Sequence, residues 1–270
     1  MPKPMIPILG KPVMEYLVEH LAKHGFDQIM VNVSHFAPAI EGYFGDGRRW
    51  GTQIGYSFEG HIEAGETVAS PVGSAGGIKR IQDFGGFFDD TFVVVCGDAL
   101  IDLDLASVVR KHWQSGAAAS IVVREVAKDR VSNYGVVVCD DSGQIQSFQE
   151  KPKTEDALSQ LVNTGIYIFE PEIVDLIPRG IDFDIGGELF PLILEKRLSF
   201  NAIKAPFNWI DIGQLSDYWE ANQQMMRGKL RGVQMPGTEV RPKIWAGLNV
   251  KVDWDDVRIE GPVYIGSASH

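Results

Sequence analysis

The chain has 270 residues, 44 % of them apolar and 23 % charged, with 25 Lys+Arg against 36 Asp+Glu and a formal charge of −11. These are ordinary globular values, which exclude a disordered or collagen-like chain, and the length accommodates one large domain or two smaller ones. A pI near 5.0 argues against nucleic acid as the main partner, because a duplex binder needs a basic footprint. Nucleotides stay open, since a few local donors and a metal ion can hold them. No stretch approaches the roughly 18 uninterrupted apolar residues of a membrane span. The start, MPKPMIPILGKP, lacks the basic and apolar regions of a secretory signal. The expectation is a cytoplasmic protein without a membrane partner. Cys96 and Cys139 both lie in apolar stretches and are expected as buried thiols.

In chain order, the spacing predicts a helix over Val13 to His24, with apolar residues at 13, 14, 17, 18 and 21 and a stop at Gly25. Strands are expected over Gln28 to Ser34 and Gln53 to Phe58, then a short glycine-opened helix over Ala75 to Gln82. Thr91 to Cys96 (TFVVVC) is β-branched and wholly apolar, as in a strand covered on both faces. A helix over Leu105 to Trp113 and a strand over Ala118 to Arg124 complete an alternation that implies crossover units, hence a mostly parallel sheet with helices on both sides. Short strands follow at Gly135 to Cys139, Ile145 to Gln149 and Asn163 to Phe169. Next come a helix over Glu188 to Leu198, a strand over Phe200 to Ala205 and a helix over Gln214 to Arg227. The last forty residues change character. Ile259 and Ile265 stand six apart, each followed by small or turn residues (IEGPVY, IGSASH). A six-residue apolar period suits a β-helix, and a single closing strand suits the same residues. The organisation is therefore a core over 1–228, then a linker and hexads over 229–270.

Chemistry concentrates where strands end. FVVVCGDALID runs a buried strand straight into Gly97 and Asp98. Ligands of open parallel sheets bind outside the carboxyl ends of strands. Asp98 there reads either as a ligand for a hard divalent cation beside phosphate oxygens or as a turn cap. NWIDIGQLSDYW places Asp211 before Gly213, again either a metal ligand or a helix cap, although Ser216 could cap as well. Lys3 in PKP and Lys151 in QEKP are fixed by neighbouring prolines. Each suits a phosphate as a compact point charge, although a solvated turn is much the commoner setting for such a lysine. Glu150 can accept hydrogen bonds from a polyol. PVGSAGGIK opens a helix with glycines but fits neither the P-loop nor the dinucleotide fingerprint. It permits close approach to a flat base.

As a set, PKPMIPILGKP, VGSAGGIK, VVVCGDALID, SNYGVVV, FQEKP, NTGIYIF and WIDIGQ resemble the sugar-1-phosphate nucleotidylyltransferases over residues 2 to about 220. The tail resembles the linker and first hexads of the left-handed β-helix some members carry. The resemblance implies an α/β fold: a Rossmann-like, mostly parallel nucleotidyltransferase core with the start of a C-terminal left-handed β-helix. The implied reaction joins a nucleoside triphosphate and a sugar 1-phosphate, with Mg²⁺, to give a nucleotide sugar and pyrophosphate. By the same resemblance Asp98 and Asp211 are the Mg²⁺ ligands, and Lys151 and Lys3 grip phosphates. Gly135, Glu150, Asn163 and Thr164 contact the sugar, and Gly73 lies on the base. Glu59, which ends QIGYSFE, stands where uridylyl and thymidylyl members carry Gln. A carboxylate accepts guanine's two adjacent donors, whereas an amide suits uracil or thymine. The expectation is therefore GTP and mannose 1-phosphate, as in mannose-1-phosphate guanylyltransferases. The alternatives are a glucose-1-phosphate uridylyl or thymidylyl enzyme, and a non-catalytic sensor of nucleotide sugars. The family's opening strand and Gly-rich loop should precede PKP and are absent. The expectation is a fragment of a longer protein, with little activity by itself. Oligomeric state is left open, a homo-oligomer included.

Overall fold

Helix α1 (Val13–Lys23) buries Val13, Met14, Leu17, Val18 and Leu21, one face of a 3.6-residue period. The computed structural model describes residues 1–63, 66–254 and 256–269, so the last residue of the second hexad, His270, lies outside the described residues. Strand β1 (Gln28–Val33) pairs in parallel with β2 (Gln53–Phe58), from Gln28↔Gln53 to Val33↔Phe58. Helix α2 (Ala37–Phe44) provides the crossover that parallel neighbours require. Helix α3 (Ser74–Gly85) leads to β3 (Phe92–Val95) and the short β4 (Ala99–Ile101). Helix α4 (Leu105–Ser115) starts at Asp104, whose carboxylate accepts the Ser107 N–H at 2.9 Å.

The second half adds β5 (Ala119–Glu125), β6 (Val136–Cys139), β7 (Ile145–Gln149) and β8 (Leu161–Phe169). Then come α5 (Phe190–Glu195), β9 (Phe200–Lys204), β10 (Trp209–Asp211) and α6 (Leu215–Met226). The helix expected from Glu188 begins instead as a wide turn over Ile185–Leu189 that runs into α5. Six strands form one sheet in the order β7-β6-β8-β5-β9, with β3 paired to the second half of β8. This corrects the expectation of a mostly parallel sheet. Only β9 runs parallel to its neighbour β5, while β8 is antiparallel to β3, β5 and β6. The physical reason is the connections. The turn DDSG is too short for a crossover, so β6 and β7 pair antiparallel.

Helices cover both faces. Ala75, Ile78 and Ile81 of α3 and Phe190 and Ile193 of α5 pack with Phe169 and Phe200 on one side. Leu17 and Leu21 of α1 and Leu105 and Val108 of α4 pack with Val122 and Ile168 on the other. Strands β1 and β3 do not pair with each other; a cavity of about 610 Å³ lies between them, with Met30, Val31, Val93 and Val94 in its walls. Among the described residues no helix is long and apolar enough to cross a membrane. Cys139 is partly buried, but Cys96 is exposed just past the end of β3, against the expectation of two buried thiols. The sequence pattern placed Cys96 inside the strand, and the strand stops one residue short of it.

The C-terminal segment forms β11 (Thr238–Arg241), β12 (Ile244–Ala246) and β13 (Val263–Ile265). Strands β12 and β13 pair in parallel, Ile244 opposite Val263. Ile265 lies on β13 and Ile259 on no strand.

Asp102, at the end of β4, joins three segments. Its carboxylate accepts the Asn208 backbone N–H at 2.6 Å, the Asn208 side-chain amide at 2.7 Å and the Arg231 backbone N–H at 2.8 Å. Burial pushes this carboxyl up, but the hydrogen bonds from Arg231 and Asn208 outweigh it and hold the group below its ordinary value. A carboxyl depressed in the folded state contributes stability that is fully present above its unfolded pKa of about 3.9. That stability is lost as pH falls through the folded value. The stability difference between the unaltered chain and Asp102→Asn, measured by urea denaturation, is expected to hold steady from about pH 7 to 5 and to narrow below about pH 4.

Candidate active site

The two strand-end aspartates meet through one short ladder. Strand β10 runs antiparallel to β4 with Trp209↔Ile101, Ile210↔Leu100 and Asp211↔Ala99. The Ile212 N–H donates to the Asp98 carbonyl at 3.4 Å. Asp98 and Asp211 therefore flank the same end of the ladder. Burial pushes the Asp211 carboxyl up, the charge of Asp98 adds to the shift, and Lys3 and Lys151 pull the other way. Asp98, Lys3 and Lys151, the other residues that the sequence picked out for phosphate and metal chemistry, all act electrostatically on Asp211. Neither aspartate caps a helix. Helix α6 is capped by Gln214, whose backbone N–H donates to Asp217 at 2.8 Å in a reciprocal capping box. Ser216 does not cap it either.

Two carboxylates pressed together at the cost of mutual repulsion fit a divalent cation, which would relieve it. Among the described residues no group of three or more His, Cys, Asp or Glu suits a metal. A hard cation held by one or two carboxylates, with the remaining positions left to water and phosphate oxygens, matches that donor set. The lysines are presented by constrained backbone. Lys3 is exposed in a 3-10 turn over Lys3–Met5, and Lys151 has a left-handed φ of 41°. Its ammonium lies 3.7 Å from Glu150.

Strand β8 bulges where it passes this site. Its register against β5 breaks between Asn163 and Tyr167, and Gly165 takes φ +73°. A Cβ on Gly165 would lie 2.6 Å from Cys96 Sγ. The Asn163 side chain holds the bulge: it accepts the Gly165 N–H at 2.9 Å and donates to the Tyr167 hydroxyl at 3.0 Å. The Thr164 hydroxyl is buried and donates to the Val122 carbonyl at 2.8 Å, so this side chain serves the sheet. Alternation along a strand sends neighbours to opposite faces, and Asn163 and Thr164 are neighbours. Gly135 is joined to β8 by the Asn163 N–H at 2.8 Å. Glu150 extends over Gly135 and Gly186. Cβ atoms there would lie 3.2 and 2.9 Å from its Oε2, so the two glycines clear space for that carboxylate.

The glycine-rich opening of α3 shapes a second region. Glu59 is buried, and one of its oxygens accepts the Asn32 side-chain amide at 2.6 Å. A Cβ on Gly77 would collide with that amide and lie 2.6 Å from the Glu59 oxygen. Glycine at 77 thus lets the helix seat against the Asn32–Glu59 pair. Gly73 has φ +75°, and a Cβ there would meet the Phe183 carbonyl at 2.5 Å. Packing against the Asp182–Phe183 loop already requires glycine at this position. Asn32, Gly77, Gly165 and Gly186 were not legible as site residues. For Asn32 the sequence holds no signal, because its partner is 27 residues away.

A parallel β-α-β unit, a mixed sheet with helices on both faces and an acidic pair at strand ends define a nucleotidyltransferase-type core. Residues 1–228 match the family model described as Nucleotidyl transferase, and the chain belongs to that family. It is 58 % identical over 265 residues to a protein of Synechocystis sp. named UTP--glucose-1-phosphate uridylyltransferase, covering 98 % of this chain and 68 % of that one. It is 31 % identical over 229 residues to a mannose-1-phosphate guanylyltransferase of Mycobacterium tuberculosis, covering 84 % of this chain and 59 % of that one. Among solved structures, HddC from Yersinia pseudotuberculosis complexed with GMP-PN superposes with a TM-score of 0.67 at 25 % identity, over 83 % of this chain and 90 % of that one. A UDP-glucose pyrophosphorylase complexed with UDP-glucose shares the fold, with a TM-score of 0.68 at 21 % identity, over 84 % of this chain and 91 % of that one.

Gly165→Ala forces a side chain into a left-handed bulge and against Cys96. It is expected to cost about 1–3 kcal/mol in urea denaturation.

Proposed function

We propose that this chain is the nucleotidyl-transfer part of an enzyme that joins UTP and glucose 1-phosphate, with Mg²⁺, to give UDP-glucose and pyrophosphate. The observation that carries the reading is the 58 % identity over 98 % of the chain to a protein with that name. The expectation of GTP and mannose 1-phosphate gives way, because the relatives bearing that name are far more distant, 31 % identical in the Mycobacterium tuberculosis protein. Asn32 donates its side-chain amide to one oxygen of Glu59, and the carboxylate keeps further acceptor sites. This pair is compatible with uracil without excluding guanine, and the identity carries the choice. The pair presents a carboxylate acceptor beside an amide donor. Uracil offers one ring N–H flanked by carbonyl oxygens, which pairs with an acceptor next to a donor.

The chemistry needs no general base, since a sugar phosphate is already a competent nucleophile. Its oxygen attacks the α-phosphorus of the triphosphate, and the bond to the bridging oxygen of pyrophosphate breaks. The barrier is repulsion between two anions together with charge building on the leaving group. Lys151, beside Glu150, holds the sugar phosphate, and Lys3 holds the triphosphate. Asp98 and Asp211 would hold Mg²⁺, which when bound neutralises phosphate charge and fixes the reacting geometry. Glu150 and the bulge braced by Asn163 line the sugar side. A nucleotide-sugar sensor has no need of an acidic pair facing two lysines, which favours catalysis over regulation.

Pyrophosphate release by the full-length enzyme tests this, with UTP, dTTP and GTP crossed against glucose 1-phosphate and mannose 1-phosphate. The UTP and glucose 1-phosphate pair is expected to be fastest; fastest turnover with GTP and mannose 1-phosphate would overturn the assignment. Asp98→Asn and Lys151→Ala are each expected to lower kcat/KM by roughly 100- to 1000-fold with no loss of melting temperature. Chelation of divalent ions is expected to abolish release, and added Mg²⁺ to restore it.

A further inference from the structure

The ribbon that carries the two aspartates is short, and core burial of Ala99, Leu100, Ile101 and Ile210 is joined by one polar closure in holding its register. It is three residue pairs long, and neither β4 nor β10 pairs with another strand among the described residues. Two-stranded ribbons are marginal on their own. A slip of one residue would turn Asp211 to the opposite face. The end away from Asp98 and Asp211 is closed by Asp102. Its N–H donates to the Asn208 carbonyl at 3.3 Å, and the Asn208 N–H returns to its carboxylate at 2.6 Å. The Asn208 side chain donates to the same carboxylate at 2.7 Å and to the Lys229 carbonyl at 2.8 Å. Arg231 donates from its backbone at 2.8 Å and from Nε at 3.3 Å, while its Nη2 reaches the Pro206 carbonyl at 2.7 Å. The Asp102 side chain is 0 % exposed. A buried carboxylate held this way cannot move by one residue without leaving its charge and its donors unpaired, so one register is strongly preferred.

We propose that Asp102 is a positioning residue for the cation site: by fixing the register of β4 against β10, it sets Asp98 and Asp211 relative to each other. Through Lys229 and Arg231 it also ties the segment after α6 to the same ladder, so placement of the carboxylates depends on how that segment docks. The inference rests on the reading of Asp98 and Asp211 as a cation site.

Mn²⁺ binding to the full chain tests it, read from the electron paramagnetic resonance signal of free Mn²⁺ at a temperature where circular dichroism shows each variant folded. Asp102→Asn is expected to weaken Mn²⁺ binding by roughly 10- to 100-fold, the range typical of residues that orient metal ligands. Asn208→Ala is expected to weaken it in the same direction. A merely structural role would lower the melting temperature and leave the affinity of the folded protein unchanged; that result overturns the proposal. Should Asp102→Asn not fold, Asn208→Ala and Arg231→Ala decide the matter by the same measurement. Asp98→Asn reports on the site itself. If it binds Mn²⁺ as the unaltered chain does, the cation reading falls and the inference falls with it.

Discussion

The three-pair ladder between β4 and β10 is the constraint on which the candidate site depends. Asp98 and Asp211 lie 113 positions apart in the chain, yet a three-pair ladder sets them at one end of the same ribbon. Left alone, each charge disfavours the other, and burial of Asp211 adds to the cost. Two lysines on separate loops offset part of it. On the proposed reading, a cation and phosphates would relieve that cost.

The sheet serves that ribbon. Strand β8 is the most connected, flanked by β5 along one edge and by β6 and then β3 along the other. It bulges at Asn163–Gly165, next to Cys96, where β3 gives way to the acidic turn. A bulge at that point re-aims side chains without breaking the core, because Thr164 keeps its hydroxyl bonded to β5 while Asn163 faces the other way. Irregularity in the backbone thus coincides with the proposed chemistry, and the regular strand on either side holds it in place.

Base recognition depends on a different economy of space. Glycine at 77 brings a helix close to Asn32 and Glu59, and the pairing of those two side chains changes what a carboxylate can offer. Glu59 taken alone suits guanine. Glu59 bonded to an amide presents a donor beside an acceptor.

Local rules carried much of the molecule. Apolar spacing marks α1, β-branched runs mark β3 and β5, and VVVCGD and WIDIG identify the aspartates, because strand periodicity and the chemistry of strand ends are written in neighbouring residues. Order in sequence also suggested a mostly parallel sheet, which proved mixed, since strand direction depends on long-range pairing as well as on alternation. What only the tertiary structure decided were relations between distant residues: the Asn32–Glu59 bond, the seating of Gly77 and Gly186, the inward turn of Thr164, and the closure of the β4–β10 ladder by Asp102 and Arg231. A hydrogen bond spanning 27 or 129 positions leaves no periodic trace in the chain, because its partners are selected by packing and not by proximity along the backbone.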